Sequence, residues 1–386
     1  MKTVFNLYTK LVKSINTCSY NSPKTGPNKY GHNDCANGMT SMLVWNNWKT
    51  ENKKWTYFPI APIVVKSLLA ALNDSTVTEF IFLGHSNSRP IQLLLFVLVL
   101  AAYTICLIGN LLIVVTVHGE PHLSQSPMYF FLANLSVFDI TLGSLATPKL
   151  LTDLASCNRT ISFMGCMIQI FFIHLIGGSE MLLVTLMAYD RYMAICHPLT
   201  YMASMNRPRC IRLLASCWAG GLIHTTIQMF LLLQLPFCGP NTLDNFHCDL
   251  PQVIKLACVD TYITELLVVA NSGLLSLVCF LALLASYSVI VTNLRGHFRE
   301  SGGKALATCS SHLIVVFISF VPCIFVYLVP FSRSHTDKVA SVFYTLIVPS
   351  VNPIIYTLRN RDMSNAMKKL KKRCPFLQSS GKIEHV

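Results

Sequence analysis

The chain has 386 residues, of which 53% are hydrophobic and only 12% charged, with a mean hydropathy of +0.51. That composition excludes an ordinary soluble domain and places the chain in a bilayer. The formal net charge of +13 invites a nucleic-acid reading, but the basic residues are sorted by position along an alternating topology, which favours membrane orientation and no nucleic-acid partner.

Residues 1–70 hold nine Lys against Asp34 and Glu51, with no apolar run of signal-peptide length at their start. A positively charged segment translocates poorly, so this stretch is expected to be a long extracellular arm or, the favoured reading, a disordered extension with no folded role. Residues 71–373 are expected to form the membrane domain and 374–386 a tail. Seven apolar runs are long enough to cross about 30 Å of hydrocarbon, roughly 20 residues each. They fall at 91–117, 127–150, 166–190, 210–235, 264–292, 305–329 and 338–358. Arg207, Arg209 and Arg212 follow the third run, Arg295, Arg299 and Lys304 lie between the fifth and sixth, and Arg359, Arg361, Lys368, Lys369, Lys371, Lys372 and Arg373 follow the seventh. All fall on one side of the topology, which the positive-inside rule makes cytoplasmic. The predicted fold is therefore an all-α membrane protein, a seven-transmembrane helix bundle with its N-terminus outside.

Asn73-Asp74-Ser75 and Asn158-Arg159-Thr160 then lie outside as glycosylation acceptors, whereas Asn134-Leu135-Ser136 falls within a span and is expected to stay unmodified. Asn110, Asp139 and Glu180 stand inside spans. Two carboxylates in a low dielectric either share a cation or keep one proton between them. Asp139 and Glu180 are thus a candidate sodium or proton site, with polar contacts to Asn110 and Asn352 as the structural alternative. Asp190 and Arg191 close the third run, where an adjacent acid and base offset part of each other's cost in the membrane, and the pair reads as a latch. Cys166, Cys238, Cys248 and Cys258 face outside, an even set that allows three pairings, with metal binding alongside His247 as the competing reading. In the seventh run Pro353 removes a backbone hydrogen bond and Asn352 is placed to satisfy freed groups or reach Asp139, which makes a hinge. Residues 362–372 read as a basic amphipathic helix on the inner leaflet. The spans contain no nucleophile with a base, no Gly-rich phosphate loop and no zinc spacing, so no enzymatic activity and no cofactor are expected.

The stretch Met187–Tyr201, MAYDRYMAICHPLTY, resembles vertebrate odorant receptors, a branch of the rhodopsin-like G protein-coupled receptors. So do PMYFFLANLSVFD at 127–139, Ser286-Tyr287-Ser288, Lys304 to His312 (KALATCSSH) and Asn352-Pro353-Ile354-Ile355-Tyr356. The resemblance covers about 73–372, and departs where Leu123-Ser124-Gln125-Ser126 and Thr357 replace the usual residues. It implies a multi-pass plasma-membrane receptor that binds a small volatile, largely hydrophobic odorant. It also implies a stimulatory, olfactory-type heterotrimeric G protein as partner, raising cyclic AMP. Carried over by register, the ligand positions are Ile173, His174, Gly177, Gly178, Asn271, Leu275, Phe320 and Tyr327. The coupling positions are Asp190, Arg191, Tyr192, Tyr287, Lys304, His312, Asn352, Pro353 and Tyr356. Trp218 matches the family tryptophan that packs on the second and third helices, and the implied disulfides are Cys166–Cys248 and Cys238–Cys258. A transporter, which calls for an internal repeat not found here, and a non-signalling receptor product are the rival classes.

Overall fold

The computed structural model describes residues 77–83, 88–156, 159–297, 317–321, 338 and 341–373. Five helices among them are long and apolar enough to cross a membrane. They are α1 (Arg89–Gly119), α3 (Pro127–Ala155), α4 (Phe163–Cys196), α6 (Arg207–Leu233) and α8 (Tyr262–His297). Short helices α2 (Pro121–Ser124), α5 (Pro198–Ser204) and α7 (Leu250–Ile254) lie between them. Residues 317–321 of the sixth predicted span are helical. The seventh runs through a π-helical turn, Phe343–Ile347, into α9 (Val348–Arg359), and α10 (Arg361–Arg373) follows. Among the described residues the bundle is thus five spanning helices together with helical parts of the sixth and seventh predicted spans, an all-α arrangement consistent with the seven-span expectation.

Local chemistry sets the helix starts. Proline occupies the first turn of α1, α3 and α6, where a missing N–H costs nothing. The side chains of Ser162 and Asn206 cap α4 and α6 by accepting from the N–H groups of Gly165 and Arg209, each at 3.1 Å. Helices α1, α4 and α8 exceed their apolar runs at both ends, α3 only at its C-terminal end and α6 only at its N-terminal end. At 34 residues, α4 is roughly 50 Å long and projects past the hydrocarbon.

Side-chain placement separates lipid-facing from central helices. In α1, Leu93, Leu94, Val97, Leu98 and Ile108 are exposed, as a peripheral span in lipid requires. By contrast α4 packs against α3, α6 and α8 and buries Ile170, Ile173, Leu183, Val184 and Met187. It approaches α6 closely because Gly221 has no side chain: a Cβ there would lie 2.7 Å from the carbonyl oxygen of Leu175 and 2.9 Å from the N of Ser179. Trp218 of α6 meets Phe138 of α3 edge-on at 4.9 Å between ring centroids. Similarly, Gly109 of α1 faces the ring of Pro353, where a Cβ would come within 2.8 Å of Cγ.

One end of the bundle carries a small sheet of order β2-β1-β3. Strand β1 (Glu79–Phe82) pairs antiparallel with β2 (Thr160–Ser162) and parallel with β3 (Thr242–Leu243). Phe80 is fully buried against Phe163 and Phe237, at 5.9 and 6.4 Å between centroids. The other end is basic: α10 buries Met363 and Ala366, packs on α1 and leaves Lys368 and Lys369 exposed.

Candidate functional site

Beneath the sheet and the loop between α6 and α8 lies a cavity of about 70 Å³. Ile173, His174, Gly177 and Gly178 of α4 and Leu275 of α8 line it. Asn271 donates to the carbonyl of His224 at 3.3 Å and Phe320 is buried beside Phe280, so both lie next to the cavity rather than on its wall. Tyr327 lies outside the described residues. The structure adds wall residues that register from three motifs did not reach: Leu142, Glu180, His224, Ser272, Ser319 and Tyr344. The rings of His174 and His224 face each other with centroids 5.9 Å apart.

The mouth is tied shut from several directions. Disulfides join Cys166 to Cys248 and Cys238 to Cys258, with Cα separations of 5.5 and 5.9 Å. Gln169 reinforces the first: its Nε2 donates to the carbonyl of Leu145 and its Oε1 accepts from the N–H of Cys248, both at 2.9 Å. Lys338 pairs with Asp244. His247 is buried within hydrogen-bond distance of Ser341 Oγ, 3.1 Å from its Nε2, and burial pushes its pKa down to about 4. The sequons at Asn73 and Asn158 lie outside the described residues.

Deeper in, Asp139 is buried and accepts twice from Asn352 Nδ2, at 3.0 and 3.2 Å. Asn110 instead donates to the carbonyls of Pro349, at 2.9 Å, and Cys106, at 3.0 Å. Its contact is thus with the backbone beside the hinge, where Pro349 and Pro353 interrupt the helical ladder. The side-chain oxygens Oδ1 of Asn110 and Asn352 are buried without a hydrogen bond. Oxygen donors of this kind suit a hard cation. Among the described residues no group of three or more His, Cys, Asp and Glu converges as a metal site.

At the basic end, Arg191 Nη2 lies 3.7 Å from Asp190 Oδ2, an ion pair beyond hydrogen-bond length. Tyr201 of α5 donates to Asp190 Oδ1 at 2.8 Å. Tyr192 contacts His197 at 3.1 Å, and Tyr287 and Tyr356 are both buried. Tyr129, in the PMYFF segment, donates to Asn360 Oδ1 at 3.1 Å, and the same oxygen caps α10 by accepting from the N–H groups of Asp362 and Met363. Arg207 donates to the carbonyl of Ser124 at 2.8 Å and stacks over Phe130 at 4.2 Å. Lys304 and His312 lie outside the described residues.

A seven-span bundle with a capped outer cavity, a proline hinge and an Asp-Arg pair at its basic end defines a rhodopsin-like receptor. The family model described as Olfactory receptor matches residues 99–373. The chain is 57% identical to olfactory receptor 4Q3 of Homo sapiens over 77% of its length and 95% of that protein. It is 52% identical to olfactory receptor 4K14 of Homo sapiens, over 78% of this chain and 97% of that one. Olfactory receptor 4E2 of Mus musculus is likewise 52% identical, over 79% and 99%. The chain belongs to the olfactory receptor family, multi-pass proteins of the plasma membrane that act as receptors and not as enzymes.

Proposed function

We propose that this receptor binds a small, volatile, largely hydrophobic odorant in the cavity of α3, α4, α6 and α8, and that binding activates a stimulatory, olfactory-type G protein to raise cyclic AMP. The observation that carries the reading is the cavity itself, walled by apolar Leu142, Ile173, Leu275 and Val348 together with polar side chains such as His174 and Ser272, in a bundle whose loop between α6 and α8 is held by two disulfides. Ile173, His174, Gly177, Gly178 and Leu275 contact the ligand directly, Asn271 and Phe320 support the wall, and Tyr327 is a further ligand position. An odorant that fits the open state better shifts the population toward it by its differential affinity. The outputs are release of Arg191 from Asp190, reorganisation at Tyr192, Tyr287 and Tyr356, bending at Asn352-Pro353, and exposure of a cytoplasmic groove, with Lys304 and His312 as further coupling positions.

Asp139 and Glu180, beside Asn110, would hold a sodium ion or share a proton that biases the inactive state; the ion would supply charge neutralisation there. Asn73 and Asn158 carry glycans on the outer side. The deciding experiment is cyclic AMP in cells expressing the full chain behind a surface tag and challenged with a panel of volatiles. Arg191→Ala is expected to keep its surface labelling and lose the response; an unimpaired response would refute the latch.

A further inference from the structure

On the lipid side of the bundle, α3 and α6 meet at their basic ends and again deeper in. At the basic end the guanidinium of Arg207 lies over the ring of Phe130, 4.2 Å from its centroid, and Nη1 donates to the carbonyl of Ser124 at 2.8 Å. Deeper in, Trp218 meets Phe138 edge-on. Arg207 and Trp218 stand roughly 16 Å apart along the helix, at about 1.5 Å per residue. Ile211, Leu214 and Trp218 follow Arg207 at i+4, i+7 and i+11, on one flank of α6. On α3, Phe130, Asn134 and Val137 repeat the same spacing. Between the two contacts these flanks are left uncovered: Ile211 is 52% exposed, and Leu214, Asn134 and Val137 are half-buried. The inner face of α6, by contrast, buries Cys210, Cys217 and Gly221. A groove open to the bilayer therefore runs from Arg207 to Trp218.

Its cytoplasmic rim is positive and already fixed in place. A guanidinium has five N–H donors, Ser124 takes one, and Arg207 is exposed. The start of α6 is satisfied by Asn206, whose side chain accepts from the N–H of Arg209 and whose carbonyl accepts from that of Cys210. The unfilled donors thus belong to the side chain, held by its ring stack and its carbonyl bond. Arg209 and Arg212 are exposed as well, and neither α2 nor residues 206–213 contain an acid. A guanidinium fork matches the oxygens of a phosphate, and the surrounding positive field favours an anionic headgroup over a zwitterionic one. The groove length is close to half of the about 30 Å hydrocarbon core, the reach of one acyl chain in one leaflet.

We infer that the groove between α3 and α6 binds one anionic phospholipid of the inner leaflet, with its phosphate on Arg207 and an acyl chain along Ile211 and Val137. The site shares no residue with the cavity wall and does not depend on which ligand or G protein the receptor uses.

The test uses the purified full chain in phosphatidylcholine nanodiscs that contain a minor fraction of phosphatidylserine with a photoreactive acyl chain. Cross-links mapped by peptide mass spectrometry are expected to concentrate in 130–141 and 207–218. Even labelling of every lipid-facing helix, α1 and α8 included, overturns the site on the wild type alone. Unlabelled phosphatidylserine is expected to displace the probe better than added phosphatidylcholine; equal displacement overturns the anionic preference. Arg207→Gln, which removes the charge and keeps a polar stem, is expected to lower the labelling of this groove severalfold. The paired change Arg209→Gln and Arg212→Gln is expected to lower it less, and equal losses would mean diffuse surface charge and overturn the site. Inorganic phosphate is expected to leave the labelling unchanged. Competition by inorganic phosphate would assign Arg207 to a free anion, and displacement by cholesterol as effective as that by phosphatidylserine would assign the groove to a sterol; either overturns the inference.

Discussion

At the scale of single residues, Asp190 has two partners of unequal quality. The hydroxyl of Tyr201 sits at 2.8 Å, whereas the nearest guanidinium nitrogen of Arg191 is at 3.7 Å and Arg191 Nε is buried without a hydrogen bond. A hydrogen bond to a charged group contributes roughly 1.5–3 kcal/mol, and an ion pair at that longer distance contributes less. Burial, and then the neighbouring Asp190, raises the Tyr201 pKa, which keeps the hydroxyl protonated and donating. On the proposed latch, Tyr201 keeps Asp190 satisfied when Arg191 leaves and so favours the released state more than the latched one. Tyr201→Phe is expected to lower basal and maximal cyclic AMP about tenfold at equal surface labelling, since each 1.4 kcal/mol is tenfold. A rise in basal signalling would show that Tyr201 belongs to the latch instead. The sequence motif contains Tyr201, yet spacing alone assigns it no role, because its contact depends on how α5 turns back under α4.

At the scale of elements, the helices were readable from apolar runs because lipid demands about 20 such residues in succession, and the helix ends from proline and polar caps. Which faces meet was only partly readable. Register counted along one helix placed Ile173, His174, Gly177 and Gly178 on the cavity wall, all from α4. Register carried onto α8 and the sixth span placed Leu275 on the wall but left Asn271 and Phe320 beside it, because the rotation of each helix is set by its neighbours. His224 escaped entirely, since only the α4–α6 contact turns it inward. That contact makes a paired prediction. Gly221→Ala forces a methyl against the α4 backbone, an overpacking that costs roughly 1–3 kcal/mol, and is expected to lower the thermal midpoint and surface labelling. At Gly177 an added Cβ meets nothing within 4 Å, and alanine in place of glycine favours a helix by up to about 1 kcal/mol. Gly177→Ala is thus expected to raise the midpoint while weakening ligand potency, because its methyl occupies the cavity. Equal midpoints for the two variants would contradict the close approach of α4 to α6 at Gly221.

At the scale of the whole molecule, stability of the mouth is tied to segments far apart in the chain. The β1 strand closes onto β2 and β3, the two disulfides hold the loop, and His247 reaches Ser341 at the head of the seventh span. None of the sheet was readable from the four-residue stretch Glu79–Phe82, whose pairing partners lie some 80 and 160 residues further on. His247 makes this closure sensitive to acid. Its folded pKa is about 4, lowered by burial, against about 6.5 for an unperturbed histidine. Above pH 6.5 the imidazole is neutral whether the mouth is closed or open, and its contribution is complete. As pH falls below 6.5 the opened chain takes up a proton that the closed mouth refuses, so closure loses stability until pH reaches about 4, where both forms are protonated. The loss across that window is on the order of 3 kcal/mol. Thermal midpoints of the purified receptor between pH 7 and 4 are expected to fall more steeply for the wild type than for His247→Gln, which keeps a hydrogen-bonding amide near Ser341 but does not titrate. Parallel curves would place the acid sensitivity on other groups and leave His247 a packing residue alone.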